Sequence, residues 1–174
     1  DLVQGEKMSK REKGFSLIEL LIVVAIILII AAIAIPNLLR ARIAANEASA
    51  VGSVRTIVTA EVTYSSTWGT GFSTVLANLG GAAVPCAAAA ANACLVDPQL
   101  ANKAAKSGYN FLAPGGAPVN GIVTTFAVSA VPQTVGTTGQ RTFCSDESGV
   151  VRFDPTGGAG PATDVACQAL TALQ

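Results

Sequence analysis

From Phe15 to Ile35 the chain is apolar at every position except Ser16 and Glu19. A helix rises about 1.5 Å per residue, so this run covers roughly 31 Å, the thickness of one bilayer core. After Pro36 the pattern becomes amphipathic. Ala44, Ala48, Val51, Val54, Val58 and Val62 recur at intervals of three or four, joined by Ile57 and Tyr64, while Arg42, Asn46, Ser49, Ser53 and Thr56 fall on the other side. This predicts a second helical half with one face turned to a sheet, ending after Trp68 where Gly69 can cap it. Pro36 lacks a backbone donor and crowds the preceding turn, so it is expected to kink or locally open the helix just past the apolar run. Phe15 to Trp68 is then one helix of roughly 80 Å.

Beyond Gly69 the elements shorten. To about Lys106 the chain reads as a loop, with Gly80-Gly81, Pro85 and an alanine run from Ala87 to Ala91 that could form a helical turn. A short helix is expected at Leu95 to Leu100, with Asp97 capping and Pro98 in its first position. Strand patterns follow at Tyr109 to Leu112, Ile122 to Val131, Arg141 to Ser145 and Val150 to Phe153, separated by Gly- and Pro-rich turns. They predict an antiparallel meander whose last pair is closed by Asp146-Glu147-Ser148-Gly149. The tail from Asp154 to Gln174 reads as loop.

Composition narrows the function. There are 11 Lys+Arg, 11 Asp+Glu and no His, so every Ser-His-Asp, Cys-His and His-metal mechanism is excluded, and no basic excess points to nucleic acid. No catalytic residue and no cofactor is proposed from the sequence. Before the apolar run lies a polar stretch from Met8 to Gly14, in which Lys10, Arg11 and Lys13 outnumber Glu12. The positive-inside rule keeps this end cytoplasmic and places everything after Ile35 on the far side. Met8 is the only Met, and synthesis is expected to start there, with DLVQGEK upstream of it. An ordinary secretory signal would also fit a basic start, an apolar stretch and Ala32-Ile33-Ala34 as cleavage site. Glu19 argues against it, because a carboxylate in an apolar span costs about 2.5 to 3.5 kcal/mol on insertion scales and a disposable signal has no use for one.

Gly14-Phe15-Ser16-Leu17-Ile18-Glu19, running on through an unbroken apolar segment to Ala34-Ile35-Pro36, strongly resembles the type IV prepilins. The resemblance implies that a membrane prepilin peptidase cuts after Gly14 and methylates the new amino terminus at Phe15. It also implies that Glu19, fifth in the mature chain, serves subunit recruitment and axial register, and that the helix loosens around Pro36 in the fibre. The sequence departs from the family at Leu28, where a Gly often stands, so loosening should be confined to the Pro36 side. The physics of Glu19 agrees: after cleavage it sits one turn from a positive Phe15 amine, near a helix N-terminus that favours negative charge. Within one chain the pair lowers the insertion cost, and between chains it fixes register.

Cys86, Cys94, Cys144 and Cys167 all lie past the apolar run and include no C-x-x-C, which argues against zinc or a thioredoxin-type pair. In an oxidising compartment two disulfides are expected, in any of three connectivities. The preferred pairs are Cys86 with Cys94, closing the alanine-rich loop, and Cys144 with Cys167, tying the tail to the sheet, a placement similar to the disulfide that pins the C-terminal loop in pilins. Asp146, Glu147, Asp154 and Asp164 lack the alternation of a Ca²⁺ loop and read as solvated turn acids. Tyr64, Trp68 and Phe72 read as packing, not as a conduction path. The expectation is an α+β, type IV pilin-like chain: leader at 1–14, transmembrane and filament-core helix at 15–35, amphipathic half at 36–68, globular head at 69–174. It would be a non-enzymatic, structural subunit held in the inner membrane and then polymerised with other copies into an extracellular pilus by the assembly machinery. A type II secretion pseudopilin and a periplasmic binding domain exported by an ordinary signal are the alternatives.

Overall fold

The computed structural model describes residues 14–81 and 85–173. The leader, apart from Gly14, lies outside them. The chain divides into two compact units, the first reaching Leu38 and the second running from Leu39. One helix, α1 (Leu17–Trp68, 52 residues), contributes to both, and helical backbone continues through Pro36.

Within the first unit α1 has no apolar core of its own. Every large apolar side chain from Phe15 to Leu38 is at least 44% exposed, because a lone helix cannot bury its surface without a partner. The helix is long and apolar enough to cross a membrane.

In the second unit α1 buries Glu47, Ala50, Ser53, Val54, Ile57, Ala60, Glu61 and Tyr64. This stripe is rotated from the expected face. Val54, Ile57 and Tyr64 are buried as expected, but Val51 and Val58 are only half-buried, and Ala44, Ala48 and Val62 are exposed. The helix is rich in Ala and Val all round, so apolar spacing discriminates weakly between faces. Ile57 and Tyr64, together with donors waiting for Glu47 and Glu61, select the face observed. Gly69 ends α1 with φ +67° and its N–H on Ser65 O at 3.1 Å, a left-handed stop that suits glycine.

After a 3₁₀ turn at Leu76–Leu79 comes α2 (Pro98–Lys103), where Asp97 Oδ1 accepts from Gln99 N at 2.6 Å and Pro98 opens the helix. The alanine run is not helical: Ala89 and Asn92 bridge across a tight turn. Strands β1 (Ala105–Lys106), β2 (Tyr109–Leu112), β3 (Ala127–Pro132), β4 (Thr142–Asp146), β5 (Arg152–Asp154) and β6 (Thr171–Ala172) form a six-stranded antiparallel sheet in sequence order. Regular pairing in β3 begins at Ala127, since Ile122, Val123 and Phe126 make only isolated bridges. The β4–β5 turn is as expected, with Gly149 at φ +72° and its N–H on Asp146 O at 3.0 Å.

Tyr109, Phe111, Val128, Ala130 and Phe143 share one hydrophobic cluster with Ala50, Val54 and Ile57 of α1. The long α1 thus packs its C-terminal half on an antiparallel sheet, the α+β class expected. Strands β3 and β4 are buried on both faces, because the tail covers the side away from α1. Gly160 lies so close to Ser129 and Val131 that a side chain there would clash, and Thr142 Oγ1 donates to Gly158 O at 2.7 Å. The tail is therefore not simple loop: it carries α3 (Asp164–Gln168) and β6. Thr163 caps α3 by accepting from Ala166 N at 3.2 Å, and a helix of five residues is too short to show an apolar period.

Candidate functional site

The proposed processing bond, Gly14–Phe15, precedes the first helical residue, Leu17. Both residues are exposed, and the space around Gly14 is open. Glu19 Oε2 accepts from Ser16 N at 2.9 Å. Ser16-Leu17-Ile18-Glu19 thus forms the carboxylate half of a capping box, in which the acid three residues into the helix satisfies an orphan N–H at its start. The S-x-x-E spelling is the sequence signal for this cap, which the expectation of an ion pair near a helix N-terminus did not include. In this chain the Phe15 nitrogen is a peptide nitrogen, so the carboxylate has a local donor before any new amine exists. Pro36 lies inside α1, far in sequence from these groups.

The cysteines pair Cys86 with Cys94 and Cys144 with Cys167. The first closes a short exposed loop. The second joins β4 to α3, with both residues fully buried. Beside it Asp146 is also fully buried; Ser148 donates through its N–H at 2.9 Å and through its hydroxyl. Burial alone would raise this acid, but the bonds from Ser148 and Gln168 and the Arg152 charge outweigh it and leave the carboxyl below its ordinary value. Asp154 is held in a turn of its own by the N–H and hydroxyl of Thr156. Asp146, Glu147, Asp154 and Asp164 do not converge: among the described residues no group of three or more His, Cys, Asp or Glu could hold a metal ion. The aromatics sit in separate packed pairs, Tyr64 with Trp68 at 4.9 Å and Phe72 with Phe126 at 4.6 Å between ring centres.

Two acids of α1 carry structure that the sequence did not disclose. Glu47 Oε2 takes Nε and a terminal nitrogen of Arg141 at 2.9 and 2.7 Å, while Oε1 accepts the N–H groups of Gln140 and Arg141 at 3.0 and 3.1 Å. Burial pushes this carboxyl up, but the bonds from the Arg141 side chain and the two N–H groups, with the Arg141 charge, hold it below the ordinary value. The guanidinium also lies near the rings of Phe143 and Phe153, at 5.3 and 5.4 Å from their centres. Tyr109 completes the cluster by donating to Arg141 O at 2.9 Å. Burial first, and then the Glu47 charge, push its phenol up. Glu61 has only the Ser73 N–H at 2.7 Å.

These features define an α+β chain with an exposed, membrane-length N-terminal helix and a head fastened by two disulfides and a carboxylate–arginine clamp. Residues 9–35 match the family model described as the prokaryotic N-terminal methylation motif. The chain is similar to the type IV wide pilus major component PilA4 of Thermus thermophilus, 66% identical over 38 residues that cover 22% of this chain and 29% of that protein. It is also similar to the type IV major pilin protein PilA of Myxococcus xanthus, 42% identical over 60 residues that cover 34% of this chain and 27% of that one. The matched stretches therefore span less than a third of either relative. No solved structure matches the chain. The resemblance to type IV pilins read from Gly14, Phe15 and Glu19 stands on the motif and on these two relatives.

Proposed function

We propose that the chain is a structural subunit of a type IV pilus-like filament. A prepilin peptidase removes the leader after Gly14 and methylates Phe15, and the mature chain waits in the inner membrane as a single-pass protein with its amino end toward the cytoplasm. The assembly machinery then packs α1 against the helices of other copies to make an extracellular fibre. The observation that carries this reading is the bare apolar run from Phe15 to Leu38, helical from Leu17 on, with Glu19 as its one acid. So large an exposed apolar surface requires lipid or neighbouring helices, and the motif over residues 9–35 supplies the step that readies it. Both relatives are described as major components of type IV pili, which favours a pilus over a secretion pseudopilus.

Mass spectrometry of the mature protein tests the processing step. The expected amino terminus is methylated Phe15, and a terminus at Ile35 would mean an ordinary secretory signal. Imaging cells that lack the chain tests the fibre: surface filaments should disappear and return on complementation. If cleavage is correct but the loss blocks secretion with surface filaments unchanged, the chain is a pseudopilin.

A further inference from the structure

Glu61 and Asp146 are both fully buried with one carboxylate oxygen lacking a donor, but Asp146 has two bonds from Ser148 and the Arg152 charge in compensation, which are missing at Glu61. In Glu61 only Oε2 has a partner, the N–H of Ser73 at 2.7 Å, and Oε1 meets no donor. Among the described residues no charge compensates it. Segment 69–79, which approaches it through Ser73, contains no Asp, Glu, Lys, Arg or Tyr, and neither does segment 113–126, which bridges that segment at Gly71 and Val123. On α1 the titratable residue one turn away is Tyr64, whose hydroxyl is engaged with Ala90 O at 2.8 Å.

A buried carboxylate with one donor is poorly solvated, whereas a neutral carboxylic acid in the same place leaves only a hydroxyl wanting a partner. Burial accordingly pushes the Glu61 carboxyl up to about 7, with the Ser73 bond offsetting only part of the rise. The segment that brings Ser73 to Glu61 is irregular backbone joined to its neighbours by single bonds. Segment 71–75 is fastened to its neighbours by Phe72 N on Val123 O at 2.9 Å, Gly115 N on Thr74 O at 3.2 Å, Asn78 N on Val75 O at 3.2 Å and the Phe72–Phe126 ring contact, and the Ser73 hydroxyl bonds within the turn, to Val75 O.

We propose that Glu61 is a proton-dependent latch: as the neutral acid it holds Gly71–Val75 against α1, and on losing its proton to solvent it releases that segment so that water can reach the carboxylate. The latch concerns the head alone and does not depend on the filament reading. The opened segment lets Glu61 ionise near its ordinary value of 4.5, while the closed one holds it protonated to about 7. The open form thus binds fewer protons between those values, and closure weakens as pH rises through that window and levels off above it. The linkage gives roughly a twentyfold gain in opening between about pH 5.5 and 7.5.

The test is hydrogen exchange with mass spectrometry on the full chain in detergent micelles, following peptides from 69–79 and correcting for the intrinsic pH dependence of exchange. Wild type should open roughly twentyfold more at the higher pH, and Glu61→Gln should show no such change. An equal pH response in wild type and Glu61→Gln would overturn the latch. If the variant does not fold, the carbon-13 titration of the Glu61 carboxyl in wild type decides: a midpoint near 7 supports the latch, and one near 4.5 refutes it.

Discussion

Glu19, Glu47 and Glu61 share one helix, and the donors available to each decide what it does. Glu19 closes the exposed first turn through Ser16 N, Glu47 receives four hydrogen bonds from the β3–β4 connection and Arg141, and Glu61 receives one. The Glu47 clamp joins residues about ninety positions apart in sequence, so it ties α1 to the sheet more than it stabilises either alone. Replacing Glu47 with Ala would leave two backbone N–H groups without their acceptor and is expected to cost about 2 kcal/mol; Arg141 is 37% exposed and can recover solvent, which keeps the cost below that of a wholly buried pair. Because the folded carboxyl is held below its ordinary value of 4.5, its contribution is fully present above that pH and is lost as pH falls through the folded value. Denaturant unfolding of the full chain in micelles should show wild type losing stability in this acid range and Glu47→Gln losing less. This window lies below the one assigned to Glu61, where stability changes in the opposite direction.

Elements whose signals are local were legible in the sequence. The long apolar helix, the Gly69 stop, the Asp97–Pro98 start of α2, the Gly149 turn and the order of the meander each depend on neighbours a few residues apart. The packed face of α1 depends instead on where Gln140, Arg141 and Ser73 end up, and nothing local in an Ala- and Val-rich helix reveals that. The sequence pattern puts Ser53 on the outward side and gives Glu47 and Glu61 no face, whereas all three are buried. The tail reads as loop in the sequence because β6 and α3 exist through contacts: β6 pairs with β5, and Cys167 anchors α3 to β4. That dependence makes a prediction. Loss of the Cys144–Cys167 bond by Cys167→Ser should cost about 3 kcal/mol by the chain-entropy argument for a loop of this length and expose residues 155–173 to proteases. Cys94→Ser opens a shorter loop of eight residues' separation and leaves the tail covered, so it should leave the proteolytic pattern of the tail unchanged. Denaturant midpoints and mapped limited digestion separate the two.

On the scale of the whole molecule, the two units solve different burial problems. The head from Leu39 onward buries its own core, whereas the apolar residues before it remain bare in the isolated chain. On the proposed function lipid would answer that need for a monomer and neighbouring helices would answer it in a fibre, so the acid in the bare segment should matter differently in the two states. Glu19→Leu makes the anchor more apolar and removes a cap at its exposed start; the membrane-bound monomer should therefore form at a yield equal to or above wild type. Assembly is the step that should fail. If the proposed cleavage frees the Phe15 amine, packing of helices would bury a positive terminus, and Glu19 is the one acid between Phe15 and Leu38 that could meet it. Leaving one side of such a pair unmatched costs about 3 to 5 kcal/mol, and every added subunit would bear it. In cells expressing only the variant, sheared surface fibre should fall to a small fraction of wild type while membrane-bound, correctly cleaved monomer persists. Normal fibre yield would confine Glu19 to its capping role at Ser16 and remove the argument that this carboxylate joins one subunit to the next.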